Sequence, residues 1–143
     1  MKIREVMKTD IRTLPADLSI SGAARRMRAD NVEYIVVTVG NGRQGVLTLG
    51  DMVSECMVEG HDPLQCQVRQ HAQTVAHSGN PDMRIGDAAV LMMNLGVNHL
   101  PVEEKGKVVG LLLLEDVSAA LDHMLMAEVM DADRDRWEAD APV

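Results

Sequence analysis

The sequence predicts an α/β fold built from two tandem β-α-β-β-α units packed with approximate twofold symmetry. The chain repeats itself at a spacing of 65 residues, both copies run through extended and helix-periodic segments in the same order, and each second strand leads directly into a helix start. Without a gap, residues 3–53 align on 68–118. Arg4 meets Arg69, Thr9 meets Thr74 and Asp17 meets Asp82. Ile20, Ala23, Ala24 and Met27 fall on Ile85, Ala88, Ala89 and Met92, and Val32, Val37, Gly45 and Asp51 on Val97, Val102, Gly110 and Asp116. The matches occupy helix faces, turn glycines and a terminal acid, where substitutions are structurally costly. Duplication accounts for that distribution; chance similarity would scatter.

In each unit a short extended piece comes first (Ile11 to Pro15; Ala76 to Asn80), then a helix near 19–30 and 84–95. The apolar steps Ile20, Ala23, Ala24, Met27 give the first helix one buried stripe. Asn31 and Gly96 follow as residues suited to a left-handed cap. A strand comes next (Val32 to Val39; Val97 to Glu103), then a turn at Gly40-Asn41-Gly42 or Glu104-Lys105-Gly106. The second strands (Gln44 to Leu49; Lys107 to Leu114) are continuous apolar runs, as for strands covered on both faces. Final helices start near Gly50 and Glu115. A lone unit would leave a sheet face and two helix stripes bare, and a second unit covers them. The organisation is therefore 1–58 for unit one, a linker over 59–67, 68–130 for unit two and a flexible acidic tail over 131–143.

Composition narrows the function classes. Hydrophobic residues form 46% of the chain but aromatics only 1%, so aliphatic residues and eleven methionines fill the core. A net charge of −8 argues against nucleic-acid or membrane partners. The opening MKIREVMKTDIR has no apolar core of signal length, and two cysteines fit a reducing compartment, so a cytoplasmic protein is expected. The five histidines are scattered and no Ser or Cys has an activating motif nearby, which predicts no enzyme activity.

The chemistry-bearing element is Gly45-Val46-Leu47-Thr48-Leu49-Gly50-Asp51. It delivers a strand to a helix N-terminus, where free N–H groups and the helix dipole favour an anion. Thr48 could donate to a phosphate oxygen and Asp51 could accept from two ribose hydroxyls. The same spacing also makes a plain helix cap, with Thr48 capping and Asp51 complementing the dipole.

Combined with the duplication, that element and Gly96 to Val102 (Gly-x-x-x-Leu-Pro-Val) resemble a tandem cystathionine-β-synthase (CBS) domain pair, over residues 1–125. The resemblance implies a regulatory module binding AMP, ADP, ATP, S-adenosylmethionine or NAD between its units. It implies a ribose acceptor at Asp51, a phosphate neighbour at Thr48, and an adenine pocket lined around Thr74 to Ala76. Val46, Tyr34, His99, Pro101 and Asp116 complete the expected ligand-binding set. Leu113 stands where the second unit should carry Ser or Thr, and Val36 where the first should match Pro101. At the positions of Tyr34 and His99, phosphate-binding members often carry a basic residue; here only His99 can supply partial charge. One better site around Thr48 and Asp51, and a weaker or empty one around Asp116, is the expectation. The alternative function is a dimerisation or protein-interaction module without a nucleotide.

Two further patterns complete the reading. Cys56, His61, Cys66 and His71 recur at intervals of five, yet the spacing matches no common zinc motif and crosses a helix end and the Pro63 loop. Convergence is not expected, so neither a metal nor a Cys56–Cys66 disulfide is assigned. Arg25, Arg26 and Arg28 read as a solvated helix face, whereas Val90, Leu91 and Met93 make the equivalent helix apolar nearly all round. With Leu121, Met124, Leu125, Val129 and Met130 this predicts a homodimer through helices 84–95 and 115–130, signalling to an unknown effector protein.

Overall fold

The computed structural model describes residues 1–39, 42–75 and 77–140. Unit one runs β1 (Arg12–Leu14), α1 (Ile20–Asp30), β2 (Tyr34–Val39), β3 (Arg43–Thr48) and α2 (Leu49–Met52), the last extended by a π turn over Val53–Met57. After β4 (Gln73–Thr74), unit two runs α3 (Ile85–Leu95), β5 (His99–Glu104), β6 (Lys107–Leu113) and α4 (Leu114–Asp140). The offset of 65 carries α1 onto α3 and β2 onto β5 residue for residue.

Local chemistry sets the boundaries. The Ser19 hydroxyl accepts from Gly22 N–H to open α1. Both repeat helices end left-handed, at Asn31 (φ 54°) and Gly96 (φ 66°), as their residue types predict. Lys105 (φ 53°) and Gly106 (φ 77°) form the two-residue turn between β5 and β6. The matching turn at Gly40-Asn41 lies outside the described residues. Apolar stripes then converge on two cores. Ile20, Met27, Ile35 and Leu47 fill one, and Ile85, Met92, Leu100 and Leu112 the other.

The units are not self-contained. The leader that opens unit one, ahead of β1, packs on unit two, and the leader that opens unit two packs on unit one. Ile3 is fully buried in the second core, and its equivalent Val68 is fully buried in the first. β4 adds to the edge of β3, with Thr74 opposite Gly45, while Lys8 bridges Leu111 in the same register. The bridges Lys2–Arg84 and Ser19–Gln67 are another pair related by the offset. Each leader therefore closes the sheet edge and plugs the core of the opposite unit.

Unit two's final helix departs from the expected tail. α4 continues through Asp140 instead of fraying near 131. No Gly or Pro interrupts it, and Arg134 pairs with Asp131 at 2.8 Å one turn away. Among the described residues no helix is long and apolar enough to cross a membrane.

Candidate functional site

β2 and β5 are repeat equivalents, and residues at their starts border the same cavity. Tyr34 and His99 open these strands, opposite Thr48 and Leu113 respectively. This cavity, of about 510 Å³, is lined by Glu33 and Thr48 of unit one and by Asn98, His99, Leu113, Leu114, Glu115 and Ser118 of unit two, with Asp51 and Asp116 not among its lining residues. Glu33 and Asn98 are repeat equivalents, as are Thr48 and Leu113, so the cavity has matching walls with different chemistry. Its volume suits a small organic ligand.

Thr48 and Asp51 close a reciprocal cap. Asp51 N–H donates to Thr48 Oγ1 at 3.1 Å, and Thr48 N–H donates to Asp51 Oδ2 at 3.2 Å. The plain capping arrangement is thus realised, yet it does not exhaust either group. The Thr48 hydroxyl accepts in this bond and keeps its own proton to donate, while the carboxylate retains acceptor capacity.

The other predicted residues divide. Val46 and Tyr34 are buried with Leu111 between the units. Pro101 pairs opposite Leu111 on β5, and its carbonyl accepts from Gly79 N–H at 2.9 Å. Thr74 is placed by its backbone pairing with Gly45, and Ala76 lies outside the described residues.

Around Asp116 the leader swap assembles a group that motif reading missed. Lys8 Nζ stands 3.5 Å from Asp116 Oδ2, an oxygen that is buried and accepts no hydrogen bond among the described residues. Burial pushes the Tyr34 phenol above its ordinary pKa, and the charges of Asp10 and Asp116 push it the same way. Lys8 thus brings a cation to this end of the module, although it stands at neither of the positions, Tyr34 and His99, where phosphate-binding members often carry a basic residue. The signal was present: its repeat equivalent is Gln73, beside the Thr74 segment already assigned to the opposite site.

The linker also corrects an expectation. Pro63 and the helix end do not keep the cysteines and histidines apart. The turn at Asp62, whose carbonyl accepts from Cys66 N–H at 3.0 Å, folds the strip back on itself. Ligand atoms of Cys56, Cys66 and His71 lie within 4.8 Å of one another. Burial, then the neighbouring Cys66 and Asp62, pushes the Cys56 thiol pKa up.

The CBS domain model matches residues 3–57 and again 79–123. The chain belongs to the CBS domain family. Its fold is that of a CBS pair, a regulatory module. The CBS domain-containing protein YhcV of Bacillus subtilis is 30% identical over 116 residues, spanning 81% of this chain and 82% of YhcV. The hexameric CBS-CP12 protein from bloom-forming cyanobacteria superposes with a TM-score of 0.78 at 18% identity, over 97% of this chain and 81% of that one. The CBS domain pair of protein MJ0100, solved with 5′-methylthioadenosine and S-adenosyl-L-methionine, gives a TM-score of 0.71 at 17% identity, covering 87% of this chain and 98% of that one. At such identities the structural likenesses establish the fold alone.

Proposed function

We propose that this CBS pair senses an adenosine-containing ligand, held between its units, and signals by changing the angle at which they meet. The observation that carries the reading is the inter-unit cavity of about 510 Å³, with a helix-start hydroxyl at Thr48 on its wall. The ligands bound by the MJ0100 pair supply the chemical class. Thr48 and Asp51 would serve a phosphate and a ribose at one end. At the other, Asp116 would take the ribose while Lys8 turns to the phosphate, a division that offsets the missing hydroxyl at Leu113. A ligand shifts the angle only as far as it binds the two arrangements with different affinity.

The second reading is a homodimerisation or interaction module with an empty cleft. The cap that occupies Thr48 and Asp51 favours it, as does an exposed apolar surface on α3 and α4 that includes Met93, Leu125 and Met130. That surface fits a second copy of this chain under either reading.

Thermal-shift titration with AMP, ATP, S-adenosylmethionine and NAD tests the choice. A ligand at a hundred times its dissociation constant should stabilise the fold by ~2.7 kcal/mol. Loss of the shift in Asp51→Ala or in Asp116→Ala assigns the site. No shift with any of the four at millimolar concentration rejects sensing in favour of the interaction module.

A further inference from the structure

The strip joining the two units holds a second cluster, which shares no residue with the lining of the cleft. Cys56 closes the π turn of unit one, Cys66 ends the loop after Pro63, and His71 follows the leader turn of unit two. Their two Sγ atoms and one imidazole nitrogen lie within 4.8 Å of one another. Cys56 and His71 are buried, Cys66 is half-buried, and both cysteines are free thiols.

The imidazole distinguishes this cluster from a chance meeting of thiols. His71 Nδ1 stands 3.6 Å from Glu55 Oε2. Its Nε2 is buried and has no hydrogen-bond partner among the described residues. A buried polar nitrogen is costly to leave unmatched. A carboxylate behind one ring nitrogen, with the other free, is how proteins orient a histidine toward a metal. Two thiolates and an imidazole are borderline-soft ligands that select zinc over calcium or magnesium, and two thiolates neutralise a divalent ion. His61 lines the adjoining depression of about 420 Å³, its ring centroid 5.7 Å from that of His71, so a fourth position opens toward solvent and a further imidazole. A Cys56–Cys66 disulfide would consume both sulfurs and still leave Nε2 unmatched.

We propose that Cys56, Cys66 and His71 form a zinc site that fastens the end of unit one to the leader of unit two. Glu55 acts as the positioning residue behind His71. Because Val68, three residues before His71, is a plug of the first core, zinc occupancy is coupled to the docking of that leader.

The test uses the full chain, untagged and reduced, loaded with zinc or cobalt(II) and desalted. About one metal per chain is expected, and the cobalt form should show thiolate charge-transfer and tetrahedral d–d absorption that zinc bleaches. Cys66→Ser and His71→Gln should abolish retention, and Glu55→Gln should weaken it about 10–100-fold, with circular dichroism confirming that each variant is folded. Should a variant unfold, protection of the wild-type thiols from a disulfide reagent by one equivalent of zinc gives an independent readout. Substoichiometric metal, an octahedral cobalt spectrum, unprotected thiols, a native disulfide under reducing purification, or undiminished retention by folded Cys66→Ser would each overturn the proposal.

Discussion

Lys8 Nζ, in the leader that opens unit one, stands 3.5 Å from Asp116 Oδ2 at the start of the last helix of unit two. The repeat equivalent of this pair, Gln73 and Asp51, has no cation. Duplication preserved the backbone in both units and let the charges diverge. Both side chains are partly exposed, so the pair itself contributes at most ~1 kcal/mol to stability.

That weakness makes Lys8 a clean probe of ligand chemistry. Lys8→Ala should leave the melting temperature of the ligand-free protein within a few degrees of wild type. If the Asp116 end takes a phosphate, the substitution should weaken ATP and AMP binding in calorimetry and spare adenosine. Equal loss for all three would place the lysine's effect on the fold instead.

The crossed leaders predict destabilisation in the opposite unit. Ile3→Ala removes a fully buried side chain from the second core and should cost ~2–5 kcal/mol. Hydrogen exchange should report the loosening at β5 and β6 ahead of β2 and β3, and Val68→Ala the reverse. Uniform loosening in both variants would mean that the two cores unfold as one.

Gly110 and Gly86 should respond to alanine with opposite signs. A Cβ on Gly110 would lie 2.8 Å from Met7 Sδ and 2.9 Å from the Lys8 carbonyl, backbone that cannot yield without undocking the leader. Gly110→Ala should cost ~1–3 kcal/mol. Gly86, in the first turn of α3, has nothing within 4 Å of such a Cβ. Gly86→Ala should gain ~0.5–1 kcal/mol through helix propensity. Urea denaturation of the two variants separates the outcomes.

Acid stability should depend on Asp82. The Arg4 guanidinium, 2.6 Å away, and then Lys2 hold its carboxyl below the ordinary range. A depressed folded pKa gives stability that is present above the unfolded value and lost as pH falls through the folded one. Asp82→Asn should therefore lower the melting temperature slightly at neutral pH and bring no added loss below the carboxylate range. A constant difference at every pH would assign the effect to packing. High salt should shrink the neutral-pH effect, because the pair is exposed.

The apolar surface of α3 and α4 should be a dimer interface. Met93 and Leu125 are 76% and 59% exposed in the single chain. Light scattering should give twice the 15.6 kDa chain mass for the wild type, and the single mass for Met93→Glu combined with Leu125→Glu. A wild-type monomer would refute the interface.

The duplication, the order of elements and the chemistry of the strand-to-helix turn were legible in the residues alone. Those features are local: apolar periodicity, Asn31 and Gly96 as caps, and Thr48 three residues before Asp51 follow from steric and hydrogen-bonding preferences within a few residues. Which leader serves which unit follows only from the packing of the folded chain. The pairing of Lys8 with Leu111, and of the Thr74 segment with Gly45, exchanges sheet edges between units far apart along the chain. That exchange put Lys8 beside Asp116 and buried Ile3 in unit two. The meeting of Cys56, Cys66 and His71 is non-local in the same sense. Their regular spacing was visible, but only the fold-back at Asp62 and the docking of Val68 brought the three together. Propensity acts over a turn of helix or a strand pair, whereas these contacts depend on burying apolar surface between whole units.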